Sequence, residues 1–350
     1  MARLVTFGAE TGHIGEAGVD WGSGSASIPI THGYMDAFGN TSNGIRTGDW
    51  ALRVWNSGTG QKGRLFAHAA ASELFFFLSL CPFPYSWGDT SLIRFYEGTT
   101  LHIALTVPTA GSTAIDVKRN TTVLETSVAG VIASNVRMEL LGHVLIHDTT
   151  GRVEIWADGV KIIDYTGDTR NAGTAGTIDN IVFPAHTTRS FVIDDFKVND
   201  ASGSNENSYP NAYGIVMVRP AAAGDVTQLT PTGAASGWEA TKDAPPDTAS
   251  YVASGTADQY DLYQLDDIAS LYDEVTLVQP ICYGALAAAG TGAVRNRIKS
   301  GATEATDAAD SALTTAAAFK RGDVLYVDPA DSAAWTIAKV NALQGGPVVK

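Results

Sequence analysis

The chain is poor in the residues that mark catalysis, disulfide scaffolds and nucleic-acid binding. Of its 350 residues only 17% are charged and only two are cysteines, Cys81 and Cys282. They lie far apart, so no disulfide framework is expected, and two reduced, buried thiols are. No G-x-S-x-G elbow, H-E-x-x-H pair, P-loop or dinucleotide fingerprint occurs. All seven histidines fall in the first 186 positions, which excludes histidine chemistry from the rest of the chain. The formal net charge is −14. Phosphate would be repelled, so nucleic acid is not an expected partner. The longest apolar run, Leu74 to Pro84, is short and ends in prolines. It reads as a buried strand, and no membrane span is expected. Nothing resembling a signal peptide precedes the strand-like opening LVTFGA, so synthesis in the cytoplasm is the expectation. Short repeats, heptads and collagen-like tracts are also missing, which argues against a fibre shaft.

Against these absences stand 45% hydrophobic residues and 36 glycines. Short alternating runs recur about every ten residues, separated by Gly, Asn, Asp or Ser, as in an all-β sandwich. Asp158-Gly159 between two such runs marks a hairpin, because a type I′ turn needs positive φ at both central residues. That turn sets Ala157 opposite Val160, Trp156 opposite Lys161 and Ile155 opposite Ile162. A four-residue turn at Asp148 to Gly151 would set Ile146 opposite Val153, Val144 opposite Ile155 and His143 opposite Trp156. One face then holds Leu140, Gly142, Val144, Ile146, Val153, Ile155, Ala157, Val160 and Ile162, and must be the core. The other holds His143, Leu145, His147, Arg152, Glu154, Trp156, Lys161 and Ile163, a mixed set fit for solvent or docking. Further on, Phe191, Ile193, Phe196 and Val198 do not share one parity. A bulge at Asp194-Asp195 would turn all four inward.

The length favours two domains. The first is expected at 1–200 and a linker at 201–210, where the sequence is ASGSNENSYP. The second is expected at 211–350, opening on the strand YGIVMVRP, followed by an extended Pro/Gly/Thr-rich loop and further strands. Its helix is expected in SAAWTIAKVNAL, capped by Asp331 or Ser332, with Ile337, Val340 and Leu343 on one face. The fold class is therefore all-β, with a sandwich followed by a β-rich domain carrying a short C-terminal helix.

No catalytic, cofactor or metal residues emerge. His143 and His147 would lie roughly 13 Å apart on a strand, too far to share a metal. Asp194-Asp195 and Asp266-Asp267 suit calcium only if they sit on loops; a bulge or solvated edge accounts for them as well. Glu97, Asp116, Glu125 and Glu139 would make a glycosidase pair only if two met across a cleft. Arg321-Gly322-Asp323 reads as an ordinary charged turn. The tryptophans are the better lead. Trp21, Trp50, Trp55, Trp87 and Trp156 crowd the first domain, and indole faces stack on sugars or anchor interfaces. By register Trp156 points away from the core. It is covered by a loop, a neighbouring subunit or the second domain, or it is a glycan platform. His143, Trp156 and Lys161 are the interface or glycan-contact candidates.

The segments GRVEIWADGVKIIDYTGDT, IDNIVF and SFVIDDFKVND, with LVTFGAETG as N-terminal partner, resemble concanavalin A-like, laminin-G-type jelly rolls over about the first 200 residues. GIVMVRP through PPDTASYV, DLYQLDDI and DPADSAAWTIAKVNAL resemble a module that follows such jelly rolls in virion structural proteins of tailed bacteriophages and prophages. The resemblance implies a surface-exposed virion component, tail or tail-fibre associated, made in the host cytoplasm. It would act by assembly with other phage structural proteins, as a homo-oligomer, and without catalysis. Capsid decoration, or a carbohydrate-binding module that recognises host glycans, is the alternative.

Overall fold

A computed structural model describes residues 3–8, 19–22, 30–32, 46, 50–54, 62–82, 90–109, 111–185, 190–268 and 274–350. Strands hold 51% of the chain and helices 4%, which bears out the all-β expectation. The chain divides into two compact units, Met1–Val216 and Met217–Lys350.

The first unit is a jelly-roll sandwich of two antiparallel sheets. One sheet runs β13 (Val160–Gly167), β12 (Gly151–Ala157), β11 (Met138–Leu145), β6 (Glu73–Pro82), β15 (Phe191–Asp200), β4 (Trp50–Val54), β3 (Ile30–His32), with β1 (Arg3–Phe7) also paired to β15. The other runs β10 (Thr122–Thr126), β9 (Asp116–Arg119), β8 (Thr100–Val107), β7 (Thr90–Glu97), β14 (Ile178–Ala185), β5 (Lys62–Ala71), β2 (Val19–Gly22). Period-two alternation sends Leu74, Phe76, Leu78 and Leu80 of the first sheet against Ile93, Phe95, Ile103 and Leu105 of the second, in one continuous core. Phe66 bridges the layers, 5.2 Å from Phe196 and 5.8 Å from Phe183, both edge-on, the arrangement aromatic quadrupoles favour.

The hairpin at Asp158-Gly159 forms with positive φ at both residues, 48° and 79°. Ala157 faces Val160 and Trp156 faces Lys161, as expected. The preceding register is corrected by two residues. Val144 opposes Val153, Gly142 opposes Ile155 and His143 opposes Glu154, because the connection after Leu145 is longer than a four-residue turn. A two-residue slip keeps side-chain parity, so the core face survives. A second correction concerns β13. The register shifts between Ile155 and Trp156, so Ile163, and not Ile162, faces Ile155 and is buried, while Val160 is 64% exposed. The bulge in β15 is present: Asp195 has φ 50°, and Phe191, Ile193, Phe196 and Val198 all join the core.

The second unit is built on one sheet, β16 (Pro220–Thr227), β19 (Asp261–Leu265), β25 (Gln344–Val349), β21 (Ala293–Ser300), β22 (Thr303–Thr306), with β23 (Ser311–Ala312) also on β21. Two small ribbons accompany it, β17 (Thr230–Thr232) with β18 (Tyr251–Ala253), and β20 (Ile281–Gly284) with β24 (Ala318–Arg321). Its first strand is therefore Pro220–Thr227, not YGIVMVRP, and the Thr/Pro/Gly section folds into β17, α1 (Gly237–Thr241) and β18. The C-terminal helix α2 spans Ile337–Asn341 and is shorter than expected. Its cap is Thr336, whose hydroxyl accepts from the Lys339 amide at 3.2 Å, so Asp331 and Ser332 lie outside it. Trp335, Val340 and Leu343 close on Ile298 in a small core, and the Trp335 indole donates to the Leu325 carbonyl at 2.8 Å.

Candidate functional site

β6 is buried on both faces. The sandwich core explains Leu74, Phe76, Leu78 and Leu80, but Phe75 and Phe77 point the other way and are also buried. Over them lies the stretch 206–215, which contains the second half of the sequence expected as a linker. Arg3, from β1, donates to Glu206 and to Asn199, each at 2.6 Å. The Lys197 ammonium lies over the Phe77 ring, 5.3 Å from its centroid, and donates to the carbonyls of Asn211 and Tyr213. Burial lowers its pKa to about 8. Asp195, at the bulge, accepts from the Ile215 amide at 2.7 Å and from the Arg46 guanidinium at 2.8 Å. These fixed charges satisfy backbone groups that a loop crossing a sheet would otherwise leave unpaired.

At the β11–β13 end the same stretch delivers Tyr209. Its ring meets Trp156 at 5.1 Å and Phe75 at 5.0 Å, edge-on to both. Phe75 in turn stacks flat on His143, 4.5 Å between centroids. The Tyr209 hydroxyl donates to Glu154 at 2.8 Å. His143 sits between two carboxylates, with Nε2 2.8 Å from Glu73 and Nδ1 3.3 Å from Glu154. Arg152 and Lys161 close on Glu154 at 2.5 and 2.6 Å, and Lys161 also reaches Asp164 at 3.2 Å. The Lys161 ammonium lies over the Trp156 ring at 4.8 Å.

Burial would raise the Glu154 pKa. The Lys161 ammonium, the Tyr209 hydroxyl and His143 outweigh it and hold the carboxyl down at about 2. Burial and the neighbouring carboxylate push the Tyr209 hydroxyl well above its ordinary range, so it stays a donor. Glu154 is therefore held as an anion, one oxygen engaged by Arg152 and Lys161 and the other by His143 and Tyr209.

The three residues marked by the sequence thus lie in one patch. Trp156 is half-buried with Lys161 on its face, and His143 is buried behind Phe75. Sequence reasoning missed Glu73, Phe75 and Tyr209 as members, and put Glu154 on the right face without singling it out. Only the lone aromatic in ASGSNENSYP hinted at the last. The other candidates are dispersed. His147 is in a loop and accepts from the amides of Thr149 and Thr150. Glu97 binds the amides of Ala175, Gly176 and Thr177. Asp116 accepts from Thr126, and Glu139 pairs with Arg46. Asp194 and Asp195 are fully buried and engaged with Arg46. Asp266 and Asp267 line a shallow polar cleft of the second unit with Gln264, Asn341 and Gln344. Asp323 accepts from the Ala308 amide. Among the described residues no three His, Cys, Asp or Glu gather as metal ligands. Trp55 and Trp87, and the side chains of Trp21 and Trp50, lie outside the described residues.

No protein family or curated protein matches the chain. Solved structures with a similar fold include a cellulose-induced protein, 10% identical, covering 55% of this chain and 96% of that one, TM-score 0.42. An alginate lyase in complex with alginate tetrasaccharide is 12% identical over 55% and 92%, TM-score 0.37. A carbohydrate esterase from the Shiga toxin-encoding bacteriophage phi24B is 15% identical over 56% and 96%, TM-score 0.39. At these identities the likeness is one of fold. The expectation of a chain without catalysis does not stand, since the similar structures include an alginate lyase and a carbohydrate esterase. Missing sequence motifs do not exclude an enzyme, because catalytic groups spread over a sheet face leave no contiguous signature.

Proposed function

We propose that the first unit binds carbohydrate at the patch around Trp156. The observation that carries this reading is the pairing of a half-buried indole with hydrogen-bonding charges fixed at its rim. Trp156 offers an apolar ring beside a network of charged groups, in which Lys161 lies over the indole and pairs with Glu154 and Asp164, and Arg152 pairs with Glu154. A sugar ring presents the complement, an apolar C–H face edged by hydroxyl groups. The partners of Glu154 hold it in place, so little side-chain entropy is lost on binding.

The setting we propose is the surface of a tailed-bacteriophage particle, at the tail or tail fibre, with a host-surface glycan as the target. The chain would be present there in symmetric copies, in contact with other phage structural proteins. The support for this setting is the sequence resemblance of the laminin-G-like strands and of the second unit's GIVMVRP, DLYQLDDI and DPADSAAWTIAKVNAL segments.

Glycan-array screening of the full chain tests the binding reading. Saturable binding that drops at least about tenfold in Trp156→Ala, the loss of a ring worth more than 1.4 kcal/mol, supports it. Binding that ignores the substitution sinks it. Cryo-electron microscopy of purified particles tests the setting, and particles without density for the chain would remove it.

A further inference from the structure

Tyr209 occupies its pocket as a ligand would. Its ring lies against Phe75 and Trp156, and beside His143 at 6.1 Å. Its hydroxyl donates to the fixed Glu154 carboxylate. A six-membered ring with a donor hydroxyl is also what a pyranose brings. Take the side chain away and Phe75, His143 and Glu154, all buried now, would face solvent as a floor of two stacked rings and an anion, with Trp156 as the wall.

We propose that Tyr209 is an intramolecular occupant of a sugar subsite, and that an uncharged glycan ring displaces it. This rests on the carbohydrate-binding reading and extends it. The backbone around Tyr209 is tethered on both sides, by Glu206 to Arg3 and by Asn211 to Lys197. Asn207 and Ser208 between the tethers are exposed. Rotation of the Tyr209 side chain about χ1 therefore vacates the pocket while the tethers hold. The class of glycan follows from charge. Three carboxylates gather there: Glu73 pairs with His143, and Glu154 and Asp164 already engage both Arg152 and Lys161. A uronate would meet carboxylates that hold these cations already, whereas a neutral hexose would find in Glu154, once Tyr209 has left, an acceptor for a hydroxyl group.

The test is titration of the full chain and of Tyr209→Ala with a soluble neutral β-glucan and with alginate, read by tryptophan fluorescence and calorimetry. The expected result is glucan binding about tenfold tighter in Tyr209→Ala, since the occupied fraction no longer taxes the affinity, with no gain for alginate. Weaker glucan binding in the variant would make Tyr209 a wall of the platform; this overturns the proposal and leaves the carbohydrate reading intact. Preference for alginate overturns the neutral class. Failure of both proteins to bind either polymer ends both readings. If the variant does not fold, the wild type decides: saturating glucan must abolish the nuclear Overhauser contacts of the Tyr209 ring with Phe75 and Trp156, and their persistence overturns the displacement.

Discussion

The Tyr209 hydroxyl and the Glu154 carboxylate, 55 positions apart in sequence, form a 2.8 Å hydrogen bond across the outer face of the first sheet. Removing the hydroxyl alone, in Tyr209→Phe, leaves Glu154 with Lys161, Arg152 and His143. The expected cost is about 1.5–3 kcal/mol, the range for a hydrogen bond to a charged acceptor, read from urea unfolding of the full chain. A change below about 0.3 kcal/mol would mean that the ring contacts, and not the hydroxyl, hold the stretch down.

Asp195 is expected to be less tolerant. It is fully buried, takes a positive φ and accepts from both Arg46 and Ile215. Asp195→Ala would take one of two carboxylates from the partly buried Arg46 guanidinium, leaving it Glu139, and would unpair the Ile215 amide, at a cost of about 2–3 kcal/mol. Asp195→Asn keeps the tolerance for positive φ and one acceptor, so it should cost clearly less. Equal losses in the two variants would show that the bulge, and not the charge, sets the stability.

The Glu97 carboxylate sets an acid limit on one loop. The amides of Thr177, Ala175 and Gly176, with His102, outweigh burial and hold its pKa at about 2, against an ordinary value of 4.5. A depressed carboxyl stabilises the fold fully above the unfolded value and loses that contribution as pH falls through the folded one. Amide exchange at Ala175, Gly176 and Thr177, corrected for intrinsic rates, should therefore accelerate from about pH 4.5 down to 2. In Glu97→Gln the acceleration should already be present at neutral pH and vary little with acidification.

Gly142 faces Phe76, and a Cβ built there would lie 2.2 Å from the ring. Gly142→Ala must push that ring into a filled core, with an expected loss of about 1–3 kcal/mol by urea unfolding. A neutral result would reveal slack around Phe76 that the packing does not show.

What the sequence disclosed and what it hid differ in range. The Asp158-Gly159 hairpin is legible because the turn chemistry is local, and the β15 bulge because four large apolar residues out of parity have one cheap remedy. The slip between β11 and β12 was hidden, since DTTG can tighten into a turn or extend, and only pairing with β6 decides. The bulge that buries Ile163 was hidden because Ile162 and Ile163 are chemically identical. Among the site residues, Trp156 and Lys161 are legible as direct partners across a known turn. Tyr209 is not: its partners lie from 53 to 134 positions away, and its small polar neighbours carry no period that would bind it to a sheet.

One residue of excess length in β15 acts as a phase converter for everything beyond it. Before Asp194 the odd positions look inward; after Asp195 the even ones do. Straightened into a regular strand with both aspartates kept, β15 would exchange its faces downstream. Phe196 and Val198 would turn outward, and Lys197 and Asn199 would be driven into the hydrocarbon interior. The outer face would lose two of its anchors for the stretch that carries Tyr209. The occupancy of a pocket at the β11–β13 end is thus encoded, three strands away, in whether one chain segment bulges or runs straight.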